Sequence, residues 1–137
     1  MSNRPISTII TINPVVANTS TKFSQILRLF TEFPVHHLPV MDDDNKLIGI
    51  VSTNDLPKVF LSLFNNGKTP GSLAETDELV KITDIMTSNP VTITSTDTIA
   101  KAAGIFADKK FLALPVVDNG VLVGILSMKD IVTNTNF

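Results

Sequence analysis

The sequence predicts an α/β (α+β) fold: two β-α-β-β-α repeats packed with pseudo-twofold symmetry. Two observations predict the repeat. Asn13-Pro14-Val15 recurs as Asn89-Pro90-Val91, and the same offset of 76 residues carries Phe30 onto Phe106 and Leu38-Pro39-Val40 onto Leu114-Pro115-Val116. After a one-residue gap in the following turn, Gly49, Ser52 and Asp55 fall on Gly124, Ser127 and Asp130. A third observation predicts the packing. Each half has only about 60 residues, a size at which a lone core is marginal, so the halves are expected to bury surface on each other.

Each copy reads the same way along the chain. A short apolar strand follows Asn-Pro, at Val15-Val16 and at Val91 to Ile93. A helix comes next, its apolar stripe spaced i, i+3, i+4, i+7: Phe23, Ile26, Leu27, Phe30 in one copy and Ile99, Ala102, Ala103, Phe106 in the other. Ser20 and Thr96, three residues ahead of each first anchor, are the expected N-caps. A hairpin follows, Leu38 to Met41 with Leu47 to Val51, and Leu112 to Val117 with Val121 to Leu126, each joined by an Asp/Asn-rich turn. A second helix starts near Ser-x-x-Asp. The Gly-, Pro- and Ser-containing stretch NNGKTPGSLAETDELVK reads as a linker, so the copies span 1–64 and 82–137 around a linker at 65–81.

Composition narrows the function. Hydrophobic residues make up 43% of the 137 residues and charged ones 18%, enough to build a core. The net charge of −2 supplies no basic field for nucleic acid or an anionic membrane. No cysteine is present, which removes disulfides, thiolate metal sites and cysteine nucleophiles. No apolar run reaches the roughly 20 residues of a membrane span. A cytoplasmic protein is expected.

Taken without any family, Ser52-x-x-Asp55 and Ser127-x-x-Asp130 have two readings. One is a capping box, in which each side chain satisfies a free N–H at a helix start. The other is a ligand site: a helix N-terminus suits phosphate, and an ionised Asp accepts from ribose hydroxyls. Pro57 fits poorly inside a helix capped by Ser52, so that helix is expected to begin later, with Asp55 as its cap and Pro57 in its first turn. This ranks Asp130 above Asp55 as a ribose ligand. His36 and His37 point to opposite sides of an extended segment, and no third ligand accompanies them, so no metal is expected. Asp42-Asp43-Asp44 reads as a solvated turn. No nucleophile–base pair or Gly-rich phosphate loop is evident, and catalysis is not expected.

The motifs DIMTSNPVTI, HHLPVMD, ALPVVD, GIVSTNDL and GILSMKDI resemble those of a tandem cystathionine-β-synthase (CBS) domain pair, the Bateman module, over about Ile9 to Val132. The resemblance implies a regulatory sensor that binds an adenosine-containing ligand (AMP, ADP, ATP or S-adenosylmethionine) in the cleft between repeats. It implies that Asp55 and Asp130 hold ribose and that Ser52 and Ser127 contact ribose or phosphate. Asn54 and Lys129 stand where the family often has a phosphate-facing Arg. His36 and His37 occupy places that can touch phosphate, filled in the second copy by Leu112 and Ala113. The two sites are therefore chemically unequal. The family commonly pairs into dimers, and the apolar face Val59, Phe60, Leu63, Phe64 is expected to be buried against a second chain. An effector protein acted on in trans is a further implied partner. The alternative is a ligand-free dimerisation or docking module for an enzyme or transporter, with Ser-x-x-Asp as helix caps only.

Overall fold

A computed structural model describes residues 3–108 and 111–134. In chain order, a 3-10 turn (Ile6–Thr8) precedes strands β1 (Thr11–Ile12) and β2 (Ala17–Asn18), helix α1 (Phe23–Glu32), and strands β3 (His37–Met41) and β4 (Leu47–Ser52). A second 3-10 turn (Thr53–Asp55) leads into α2 (Leu56–Asn65), α3 (Leu73–Leu79), α4 (Ile82–Ile85) and β5 (Thr87–Ser88). The chain continues through α5 (Ile99–Asp108), β6 (Ala113–Asp118), β7 (Val121–Ser127) and α6 (Met128–Asn134). The last three residues of the IVTNTNF tail lie outside the described residues.

These elements form two compact units. One is Val15–Asn89; the other joins the stretch up to Pro14 with the chain from Pro90 onward. The first unit holds the sheet β2-β3-β4-β5, and the second the sheet β1-β7-β6. Each unit therefore takes one edge strand from the segment that precedes the other copy. β5 pairs antiparallel with β4 (Gly49 opposite Ser88), and β1 pairs antiparallel with β7 (Gly124 opposite Ile12).

That pairing explains the repeated glycine. A Cβ on Gly124 would sit 2.7 Å from the Thr11 carbonyl oxygen and 2.9 Å from Ile10 Cδ1. On Gly49 it would run into the Met86 thioether and lie 3.0 Å from the Thr87 carbonyl oxygen. Both positions need close backbone approach.

The two helical stripes pack as their spacing predicts. Phe23 and Ile26 are buried on α1, as are Ile99, Ala102 and Phe106 on α5. Ile26 joins Leu38, Val40 and Val51 of the hairpin in one core, and Ile99 and Phe106 join Leu114, Val116 and Leu126 in the other. The hairpins match expectation, each with a register shift, after Val40 and after Val116.

The predicted first strands are displaced. Pairing in the first unit begins at Ala17, parallel to Val40, while Val16 is exposed; in the second only Ile93 forms a bridge, to Val116. The predicted caps are corrected too. Ser20 donates its N–H and hydroxyl to Asn18 Oδ1, at 2.9 and 2.7 Å, and α1 begins only after Lys22. In the second unit Thr98, not Thr96, accepts the Lys101 N–H at 3.1 Å. A capping side chain must stand immediately before the first helical residue to reach the third, and both predicted residues stand too early.

The 65–81 stretch contains α3, which docks on α1. The Ser24 N–H (2.8 Å) and hydroxyl (2.6 Å) donate to the two oxygens of Asp77, and Thr76 and Val80 are buried. Burial raises the Asp77 pKa, but the two bonds from Ser24 and the charge of Lys22 together outweigh it and hold the carboxyl below its ordinary range.

Candidate functional site

Both Ser-x-x-Asp motifs lie where the last strand of a hairpin passes into a helix. In the first unit β4 ends at Ser52, the chain makes its 3-10 turn, and α2 begins at Leu56 with Pro57 as its second residue. Asp55 does not cap α2 with its side chain, contrary to expectation. Its carboxylate turns back instead, and Oδ2 accepts the Ser52 N–H at 2.7 Å and the Ser52 hydroxyl at 3.2 Å. Asp55 is only 9% exposed, and its Oδ1 lies 3.5 Å from Lys58 Nζ.

In the second unit the arrangement is reciprocal. Asp130 Oδ2 accepts the Ser127 N–H at 2.8 Å, and the Asp130 N–H donates to Ser127 Oγ at 3.1 Å. Among the described residues, Asp130 Oδ1 has no hydrogen-bond partner, and Asp130 is half-buried. A capping box is thus present in both copies, and in this one it occupies only one carboxylate oxygen. An ionised carboxylate offers about four acceptor positions, so Oδ1 can still take two hydroxyl donors.

The serines differ chemically. The Ser52 hydroxyl spends its proton on Asp55, whereas the Ser127 hydroxyl accepts and keeps its proton for another acceptor. Ser127 can thus donate to a phosphate or ribose oxygen without breaking an existing bond.

The histidines divide as an extended segment requires. His36 is exposed, and its carbonyl accepts the Thr53 N–H at 3.0 Å. His37 is half-buried on β3, directly opposite Ser52, so His37, Ser52 and Asp55 are gathered in one place. Burial lowers the His37 pKa, His36 lowers it further, and Asp55 opposes them. In the second unit Ala113 stands opposite Ser127, and the Leu112 carbonyl accepts the Met128 N–H at 3.0 Å. Asn54 and Lys129 are both exposed. Among the described residues no group of three or more His, Asp or Glu is assembled to hold a metal ion.

Sequence reasoning missed a groove beside Asp55. It holds about 390 Å³, with Val59, Leu63, Val80 and Ile85 contributing apolar walls. Lys58 and Ser62 line it from α2, Asn66 from the C-cap of that helix, and Asp84 from α4. The signal was present: 58, 62 and 66 repeat every four residues and so share one helix face.

The expected apolar face of α2 is only partly free. Val59 and Leu63 are buried in a cluster with Phe23 and Val80, whereas Phe60, Leu61 and Phe64 remain exposed. Phe60 meets the Phe23 ring edge-on at 5.6 Å.

The family model described as CBS domain matches residues 6–62 and again 82–135. The chain belongs to the CBS domain family, as a tandem pair. It is similar to the CBS domain-containing protein CBSX1, chloroplastic, of Arabidopsis thaliana, with 31% identity over 85% of this chain and 57% of that protein. A homoserine O-acetyltransferase of Methanococcus vannielii shares 30% identity over 98% of this chain, but the match spans only 25% of the enzyme. Among solved structures, CBSX2 of Arabidopsis thaliana in complex with AMP superposes with a TM-score of 0.76 at 32% identity, covering 94% of this chain and 93% of the other. Protein MJ1225 of Methanocaldococcus jannaschii superposes at 0.82 with 28% identity, covering 96% of this chain and 47% of that one. Among the described residues no helix is long and apolar enough to cross a membrane.

Proposed function

We propose that this chain is a non-catalytic regulatory module that senses an adenosine-containing ligand, AMP foremost. Ribose hydroxyls bond to the unspent oxygen of Asp130, and in the other copy to Asp55. Ser127 donates to a phosphate or ribose oxygen, and Lys129 lies near phosphate. The observation that carries this reading is the half-used carboxylate of Asp130, which satisfies its own turn with Oδ2 and keeps Oδ1 for a donor; Asp55 likewise gives Oδ2 to Ser52, with Lys58 3.5 Å from its Oδ1. Support for the choice of nucleotide comes from the AMP held by CBSX2, which this chain resembles over nearly its full length. A homodimer, an effector protein and a cytoplasmic location belong to the same proposal. The exposed Phe60, Leu61 and Phe64 are consistent with a dimer.

A second reading, an architectural docking module, draws on the same hydrogen bonds: both motifs serve as turn-stabilising boxes whether or not a ligand arrives. A thermal-shift panel of AMP, ADP, ATP and S-adenosylmethionine separates the two. A ligand at 100 times its dissociation constant adds about 2.7 kcal/mol, which raises the midpoint of a chain this size by roughly 4 °C or more. Asp130→Asn should cut the shift substantially. No shift with any ligand would favour the architectural reading.

A further inference from the structure

Two Asn-Gly steps occur in the chain, Asn66-Gly67 and Asn119-Gly120, and their main chains are held very differently. A following glycine opens an asparagine carboxamide to its own backbone, because no Cβ shields the next nitrogen. Both asparagines are exposed, so access to water does not separate them. We propose that Asn119 is a site of spontaneous covalent modification, converted through attack by the Gly120 nitrogen into aspartate and isoaspartate.

The Gly120 N–H gives its proton to solvent, and the nitrogen forms a bond to Asn119 Cγ. The carboxamide C–N bond breaks, and ammonia leaves behind a five-membered succinimide. Water then opens the ring at either carbonyl. Opening at Cγ gives aspartate, and opening at the main-chain carbonyl gives isoaspartate, whose backbone runs through Cβ. The net change exchanges an amine for a hydroxyl group and needs no oxidant or reductant.

The hairpin turn supplies the reach. Asn119 and Gly120 have φ of 51° and 79°, both positive as in a type I′ turn. Flipping the peptide unit between them gives a type II′ turn, which keeps the Asn119 φ positive and brings its ψ to about −120°. Only Gly120 must change the sign of φ, and glycine does so freely. At that ψ the Asn119 Cβ and the Gly120 nitrogen lie on the same side of the Cα–C bond, as the ring requires. Both turn types close a two-residue hairpin, so β6 and β7 keep their register. Nothing obstructs the flip. A Cβ built on Gly120 would meet no atom within 4 Å, and among the described residues the Gly120 N–H has no hydrogen-bond partner.

Asn66 is tied down instead. It is the C-cap of α2, with φ of −93°. Its N–H donates to the Ser62 and Leu63 carbonyls, the Gly67 N–H to Phe64 at 3.0 Å, and the Lys68 N–H to Leu63 at 2.8 Å. Turning the Asn66–Gly67 peptide breaks the Gly67 bond and disturbs its neighbours.

The test holds the folded full-length protein in mildly alkaline buffer and follows tryptic peptides 59–68 and 111–129 by mass spectrometry. Asn119 should convert about five- to tenfold faster than Asn66, the factor that one additional hydrogen bond to be broken puts into a rate. Peptide 111–129 should split into aspartyl and isoaspartyl forms, and in urea-unfolded protein the two rates should converge. Equal or faster conversion of Asn66 in the folded protein would overturn the proposal. So would an Asn119 that stays intact when folded but converts when unfolded, or a preference for Asn119 that persists in urea. Aspartate without isoaspartate would also overturn it, because direct hydrolysis gives that product alone.

Discussion

Asp42 and Asp118 occupy equivalent positions at the end of the first hairpin strand in each copy, yet they do different work. In the first unit the turn runs over five residues, and Asp42 Oδ1 accepts the N–H groups of Asp44 and Lys46, both at 2.9 Å. In the second, Asn119-Gly120 makes the turn alone, with φ of 51° and 79°. Those values suit a two-residue hairpin turn that needs no side-chain support. Asp118 is thereby released, and it accepts the Ser95 N–H and hydroxyl instead. The Ser95 bonds hold the Asp118 carboxyl below its ordinary pKa range. One deleted residue has reassigned a carboxylate while leaving the strands in register. The Ser-x-x-Asp motifs show the same behaviour: shared backbone, different use of the hydroxyl proton.

The glycines sharpen this comparison most strongly. Gly124 faces a backbone oxygen at 2.7 Å, whereas the nearest obstacle to a Cβ on Gly49 is the flexible side chain of Met86. Gly124→Ala should cost about 2–3 kcal/mol, near the upper end for overpacking, and Gly49→Ala about 1 kcal/mol, because the thioether can swing away. Urea unfolding midpoints measure both. Equal costs, or the reverse order, would mean that the backbone oxygen facing Gly124 does not set the difference.

A smaller effect comes from His37, which has Ala113 as its counterpart. Its folded pKa is lowered, chiefly by burial, so below about 6.5 the unfolded chain binds more protons than the folded one. The contribution of His37 is complete above that pH and is lost as pH falls toward and through the folded value. His37→Ala should flatten the decline in stability between about pH 7 and 5. A decline as steep as the wild type's would assign the effect to other groups.

Much of this was legible in the sequence because the repeat doubles each signal. Phe23 and Ile99, Leu38 and Leu114, and Ser52 and Ser127 confirm one another, and spacing alone places helices and hairpins. What escaped depends on chain paths that periodicity does not encode. Nothing in Thr11-Ile12 or Thr87-Ser88 says which hairpin they will edge, because two-residue strands carry no pattern. Helix α3 was readable: Ser72-x-x-Glu75 is a capping-box spacing, and Ser72 Oγ accepts the Glu75 N–H at 3.2 Å. It was hidden by the Gly and Pro just before it. The caps were missed by two residues because Ser and Thr crowd that stretch, and Asn18 captures Ser20 first. At the site, the sequence named the carboxylates but not the oxygen each would keep, since that choice belongs to the geometry of the turn.

The most direct measurement compares AMP with its 2′,3′-dideoxy analogue by calorimetry, on the wild type and on the double variant Asp55→Asn/Asp130→Asn. The expected result is at least tenfold weaker binding of the analogue to the wild type, from hydrogen bonds to a charged acceptor worth roughly 1.5–3 kcal/mol each, and a smaller difference on the double variant. Equal affinity of the wild type for both ligands would show that no carboxylate holds the sugar, and would contradict the account.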